Sequence, residues 1–148
     1  MHRRKFISVA LWSSVGWAIN PLSAAVTMDP WKAEKVKDAI AALYGNGVKL
    51  IASDKIKIVA PKLAENSSFI PIEITSEIAA KRVILLQNGN HYALTGIFEV
   101  PEDELVEYRV YIKLKQASEL TVLIEDIYGA VYENHIEIDV SISEGCGE

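Results

Sequence analysis

The sequence predicts a mainly β fold: an immunoglobulin-like antiparallel β-sandwich preceded by one N-terminal helix. Three observations carry this. Apolar and polar residues alternate with a period of two along several segments from Lys55 onward, as expected of strands with one face in a core. Turn-forming residues separate those segments, giving roughly seven short strands. A single helical pattern comes before them, and the chain has no repeats or low-complexity segments.

Taken in order, the chain begins with an export signal. Arg3, Arg4 and Lys5 form a basic start. Residues 6–19 are apolar but broken by Ser8, Ser13, Ser14 and Gly16, and Pro21 ends the stretch. Ser23, Ala24 and Ala25 supply the small residues of a cleavage site. The stretch is too short and too polar for a spanning helix of about 20 residues. Paired arginines followed by Lys5 and Phe6 resemble the twin-arginine address rather than an anchor; an ordinary export signal that happens to hold two arginines is the other reading. Residues 1–25 are therefore expected to be a signal peptide, residues 26–142 one periplasmic domain, and residues 143–148 a flexible C-terminal arm. Export as a folded protein suggests that the chain folds with a partner first.

The whole sequence has 15 Lys and Arg against 20 Asp and Glu. Removing Arg3, Arg4 and Lys5 leaves 12 against 20, a net charge of −8. Such an acidic chain argues against nucleic acid and anionic membranes as partners.

Asp29 followed by Pro30 predicts a helix start, with proline at its first position. Trp31, Val36, Ile40 and Leu43 would share one face, and Gly45 and Gly47 would stop the helix. Ile70, Ile72 and Ile74 alternate with Pro71, Glu73 and Thr75. Residues 83–86 form a short, fully apolar run, expected to be core or to include a face for a partner. A strand over 92–100 ends at Pro101. Tyr108, Val110, Ile112 and Leu114 alternate with Glu107, Arg109, Tyr111 and Lys113. Residues 120–124 lead into a turn at 126–129. The last strand sets Ile136, Ile138, Val140 and Ile142 against His135, Glu137, Asp139 and Ser141.

Cys146 is the sole cysteine in the sequence, set between Gly145 and Gly147 close to the C-terminus. With one cysteine there is no disulfide framework, so the core must hold the fold alone. A cysteine outside the last strand and flanked by glycines points to a presented thiol rather than a packed one. An unpaired cysteine in an exported protein is used chemically or paired with another molecule. A thiolate is a soft nucleophile whose disulfides and persulfides form reversibly.

Other candidates are weaker. His91 and His135 lack a third spaced ligand, so a solvated or structural role is expected and no metal site. The acidic run Glu102, Asp103 and Glu104 is expected to be a solvated loop, with calcium the outside reading. Asn66, Ser67 and Ser68 match a glycosylation acceptor by chance in a chain with a bacterial-type signal. No catalytic triad, phosphate loop or dinucleotide fingerprint occurs, and no cofactor is expected.

The segment 60–66 leading into Ile70-Pro71-Ile72, the twin-arginine start, the strand pattern and the terminal Gly145-Cys146-Gly147 together resemble the SoxY family. These are the sulfur-carrier subunits of the periplasmic thiosulfate-oxidising system. The resemblance implies an immunoglobulin-like fold and a heterodimer with a SoxZ-like subunit. It also implies covalent attachment of thiosulfate-derived sulfur to Cys146, which is then presented to the sulfur-oxidising enzymes. It implies a carrier, not an enzyme in its own right. The family arm is Gly-Gly-Cys-Gly-Gly, whereas here Glu144 and Glu148 replace the outer glycines. Their charge disfavours the thiolate and repels anionic thiosulfate unless a basic cleft on a partner compensates. The alternative is an interaction module whose thiol forms an intermolecular disulfide in a dehydrogenase-associated assembly.

Overall fold

The N-terminal helical pattern resolves into two pieces. The computed structural model describes residues 28–141; Cys146, Gly145, Gly147 and the signal expected at 1–25 lie outside the described residues. Asp29 caps as expected, accepting a hydrogen bond from the Trp31 N–H at 3.1 Å, but the helix it starts is a single 3-10 turn over Pro30–Lys32. Ala33 then turns extended, and its carbonyl accepts from the Ala93 N–H at 2.8 Å. This tertiary hydrogen bond replaces the intrahelical one that a continuous helix would need. The α-helix α1 follows at Val36–Tyr44 and ends at Gly45, whose φ of 87° only glycine adopts without strain. Val36, Ile40 and Leu43 face the core as expected, whereas Trp31, on the separate turn, is exposed.

The described residues form nine strands, where about seven were expected: β1 Leu50–Ala52, β2 Ile56–Val59, β3 Leu63–Ala64, β4 Ile70–Ser76, β5 Ala80–Gln87, β6 Leu94–Glu99, β7 Val106–Ile112, β8 Ser118–Asp126 and β9 Val131–Val140. They build two sheets, one ordered β1-β9-β8-β5-β6 with β3 also on β9, the other β2-β4-β7. All pairings are antiparallel except those of β1 and β3, which run parallel to β9. Two- and three-residue strands carry too few side chains for a period to show, which is why the sequence hid them.

The core lies between the sheets. Ile70, Ile72 and Ile74 of β4 meet Val83 and Leu85 of β5 and Leu120, Val122 and Ile124 of β8. Burying each such side chain contributes about 1.5–3 kcal/mol. Pro71 pairs with Tyr111 where β4 runs past the end of β2, so its missing N–H breaks no β2–β4 ladder bond.

The apolar run at 83–86 has a physical account. Val83 and Leu85 point between the sheets, while Ile84 and Leu86 point the other way, into a second cluster with Leu123, Val131 and the apolar face of α1. The helix covers the outer face of the large sheet, so the run is buried on both sides within this chain. It therefore supplies no face for a partner, contrary to that part of the expectation.

Between β5 and β6 the register slips, so that Leu85 pairs with Gly96 and Leu86 with Leu94. Thr95 is the bulged residue, and the bulge turns both Leu94 and Ile97 toward the helix. Gly96 leaves room for the Phe98 ring, which would lie 3.1 Å from a Cβ placed there. Phe98 stacks on Tyr108 with ring centres 5.5 Å apart, joining β6 of one sheet to β7 of the other.

Candidate functional site

The strand that leads to the cysteine is β9, and it is held at its end. Asp139 donates its backbone N–H to the Lys62 carbonyl at 2.8 Å, and Ser141 donates to the Ala64 carbonyl at 3.0 Å. Leu63 and Ala64 are the whole of β3, in register with Asp139 and Val140. The segment 60–66, singled out in the sequence, thus fastens the root of the C-terminal segment. Its Asn66 closes a turn, accepting from the Ser68 N–H at 3.0 Å through its side chain and from the Phe69 N–H at 3.2 Å through its carbonyl. That side chain's use is structural. The Ser67 carbonyl then accepts from the Leu114 N–H at 2.9 Å, which ties this turn to the chain leaving β7.

A second set of loops closes the same end of the sandwich, and sequence reasoning missed its organisation. Gln87 is buried at the end of β5. Its side-chain oxygen accepts from the Gly89 and Asn90 N–H groups at 2.6 and 2.8 Å, and its side-chain nitrogen donates to the Tyr92 carbonyl at 2.7 Å. Asn90 donates to the Lys113 carbonyl and accepts from the Lys115 N–H. The side chain of Asn88 accepts from Ser118 and from the Glu119 N–H. The only sequence signal was Asn88-Gly89-Asn90, legible as a turn but not as a hub joining the 87–93 and 113–119 loops. Outside these loops, Phe69 and Tyr111 are both exposed and stack with ring centres 4.0 Å apart.

Cys146 follows Ser141 by five residues, and five residues of chain span at most about 17 Å. Its flanking Gly145 and Gly147 are likewise outside the described residues. Any chemistry at the thiol therefore takes place within that radius of the β3–β9 clamp.

The remaining candidates do not converge. His91 is exposed, with Nε2 3.6 Å from the Glu34 carboxylate. His135 lies on β9, exposed, its backbone N–H bonded to the Asn134 side chain. Glu102, Asp103 and Glu104 are exposed in the β6–β7 loop, where Asp103 has a φ of 66°. Among the described residues no three His, Cys, Asp or Glu side chains come together as a metal site, and no helix is long and apolar enough to cross a membrane.

One polar cluster lies at the far end of the large sheet. Arg82 donates through Nε to Glu125 at 2.8 Å, Lys81 stands 3.6 Å from the same carboxylate, and the Arg82 guanidinium lies 5.6 Å from the Tyr44 ring centre. Burial, followed by the charge of Glu125, pushes the Tyr44 hydroxyl up to about 12. The cluster pins the last turn of α1 to β5 and β8. Because β9 starts beside the end of β8 and finishes beside its beginning, the cluster is remote from the C-terminal segment.

The family model described as "Sulfur oxidation protein SoxY" matches residues 40–146, ending on Cys146. Among solved structures, the sulfur carrier protein SoxY from Chlorobium limicola f thiosulfatophilum matches with a TM-score of 0.65 and 28% identity, over 73% of this chain and 97% of that one. A variant of the superoxide reductase (neelaredoxin) from Ignicoccus hospitalis matches with a TM-score of 0.54 at 14% identity, over 62% of this chain and 94% of that one. The latter likeness is one of fold alone. No curated protein matches.

Proposed function

The chain belongs to the SoxY family of sulfur oxidation proteins, and from that premise we propose that it is a periplasmic sulfur carrier which holds sulfur intermediates covalently on Cys146. One observation supports this reading above the others: the family match runs through the β3–β9 clamp and ends on the cysteine itself. Of the two solved structures above, the one of higher identity is itself a sulfur carrier protein.

The chemistry asks little of this chain beyond the thiolate. Joining Cys146 Sγ to the outer sulfur of thiosulfate makes an S–S bond and releases two electrons, which an acceptor on a partner enzyme must take. Hydrolysis or further oxidation of the bound group likewise belongs to partner enzymes. The chain contributes a fixed root, a short reach and a nucleophile. A SoxZ-like subunit is the proposed constant partner, and the twin-arginine-type start the proposed route of export. The apolar run at 83–86 no longer argues for that subunit, since α1 covers it; the family relation does.

The test is the intact mass of the protein isolated from cells oxidising thiosulfate. Mass additions that a thiol reductant removes, and that vanish in Cys146→Ser, are expected. A Cys146 found only in a disulfide to another protein would favour the interaction-module reading instead.

A further inference from the structure

We propose that the open stretch of β9, residues 134–138, is a docking site for an extended segment of a visiting protein whose side chains alternate between apolar and basic. This rests on the carrier reading only in saying why a visitor comes.

The outer edge of β9 is covered at both ends and bare between. β1 pairs with Val131 to Glu133, and Ser53 donates to the Glu133 carbonyl at 3.0 Å. β3 takes over at Asp139, where the N–H donates to Lys62. Between them the chain leaves β9 and joins the other sheet as β2, itself an edge strand. Since Glu133 and Asp139 both turn their backbone groups outward, strand alternation turns those of His135 and Glu137 outward too. The His135 N–H is taken by the Asn134 side chain, whose nitrogen also donates to the Ile56 carbonyl at 2.7 Å. The Asn134 carboxamide thereby closes one end of the gap. The His135 carbonyl and both backbone groups of Glu137 have no protein partner among the described residues.

Beyond Asn134 the two strands part around an open groove of about 710 Å³. Ile58, Val59 and Ala60 form one wall and Ile136 the other. An added strand would offer backbone groups to Glu137 and apolar side chains to this groove. On the solvent face it would meet Glu119, Glu137 and Asp139 against the single cation Lys62, which favours lysine or arginine there. Bare strand edges attract such pairing, and the acidic residues limit it to basic visitors rather than a second copy of this acidic chain. The site ends three residues before Ser141, so a docked protein stands beside the root of the cysteine segment.

The test uses the full mature chain and an acetylated, amidated peptide of about six residues alternating valine and lysine. Exchange of the Glu137 amide is expected to slow about tenfold with peptide bound, while exchange along β6 and β7, which are also sheet edges, stays unchanged. Methylating alternate peptide nitrogens should weaken binding at least about tenfold with the side chains intact, and Glu137→Pro should do the same. Protection on β6 or β7 instead, or binding indifferent to N-methylation, overturns the proposal. So does faster Glu137 exchange on deleting residues 143–148, since the chain's own segment would then hold the edge. Cys146→Ser should leave docking unchanged, so failure here and failure of the carrier reading are separate results.

Discussion

Ser141 donates its backbone N–H to the Ala64 carbonyl at 3.0 Å, which places the last fixed point of β9 five residues before Cys146. A two-residue strand would be marginal alone. Here it is the lever by which the 60–66 segment sets where the thiol can go, because the reach of the cysteine is counted from that hydrogen bond. The clamp is backbone to backbone, so side-chain changes at Leu63 should leave it in place, whereas loss of the pairing itself should release the end of β9.

Ala64→Pro tests this. Proline removes an N–H and restrains φ in a strand only two residues long. Ala64 is also buried, so the larger ring must be accommodated. Amide exchange at Asp139 and Ser141 should rise strongly, while that of the β8-facing residues such as Ile136 stays slow. Global stability should fall by about 1–3 kcal/mol. Unchanged exchange at Ser141 would show that β3 does not hold the root.

Much of this architecture was legible in the sequence, for identifiable reasons. The alternation in 70–75 and 135–141 marked β4 and β9 because each has one face in the core and one in solvent. The same rule could not say what covered Ile84 and Leu86, since a two-sided apolar strand looks alike under a helix or a partner. Asp29 was recognised as a cap, but the break at Ala33 is made by Ala93, sixty residues on, and no local pattern encodes it. The cysteine announced itself by position and flanks. The clamp that roots it did not, because Leu63 and Ala64 are too few to show a period. The open edge of β9 was equally hidden, for it depends on where β2 leaves one sheet for the other.

Gly89→Ala should disturb the loops at the end of the sandwich where β9 finishes. A Cβ there would lie 2.7 Å from the Gln116 carbonyl oxygen and 2.8 Å from Ser118 Cβ, so backbone must move. The hydrogen bonds from Gly89 and Asn90 to Gln87 would lengthen, leaving a buried amide less well satisfied. A loss of about 1–3 kcal/mol is expected in urea unfolding with the slope unchanged. Gly47→Ala meets no atom within 4 Å. It should cost less, and through its φ of 88° alone.

Tyr44 should ionise well above the ordinary tyrosine range. Its hydroxyl is raised from the ordinary 10.0 to about 12, chiefly by burial and then by Glu125. The folded state therefore favours the neutral phenol. The stability this gives is fully present below pH 10 and is lost as pH rises from there through about 12. With solvent screening the loss should be no more than about 2 kcal/mol. Phenolate absorbance in the wild type and Tyr44→Phe should differ by one late-titrating group, and Tyr44→Phe should flatten the alkaline fall in stability. A Tyr44 that titrates at the ordinary 10.0 would contradict the buried cluster.

The strongest functional prediction concerns the charges beside the thiol. Glu144 and Glu148 stand two residues either side of Cys146, where the family arm carries glycines. Carboxylates disfavour the thiolate, which is the form that attacks both sulfur and alkylating agents. Replacing both with glycine should speed alkylation by iodoacetamide at neutral pH by roughly two- to threefold at low salt, and by less as salt screens the charges. The fold should be indifferent: thermal unfolding of Cys146→Ser and of the double glycine variant should match wild type, since all three residues follow the last strand in the sequence. Thiosulfate-derived mass should then load faster on the glycine variant if the carboxylates act only through the thiol. If instead loading slows while alkylation speeds up, the carboxylates are contacts for a basic cleft on the loading enzyme, and their presence is an adaptation to that partner rather than a handicap to the nucleophile.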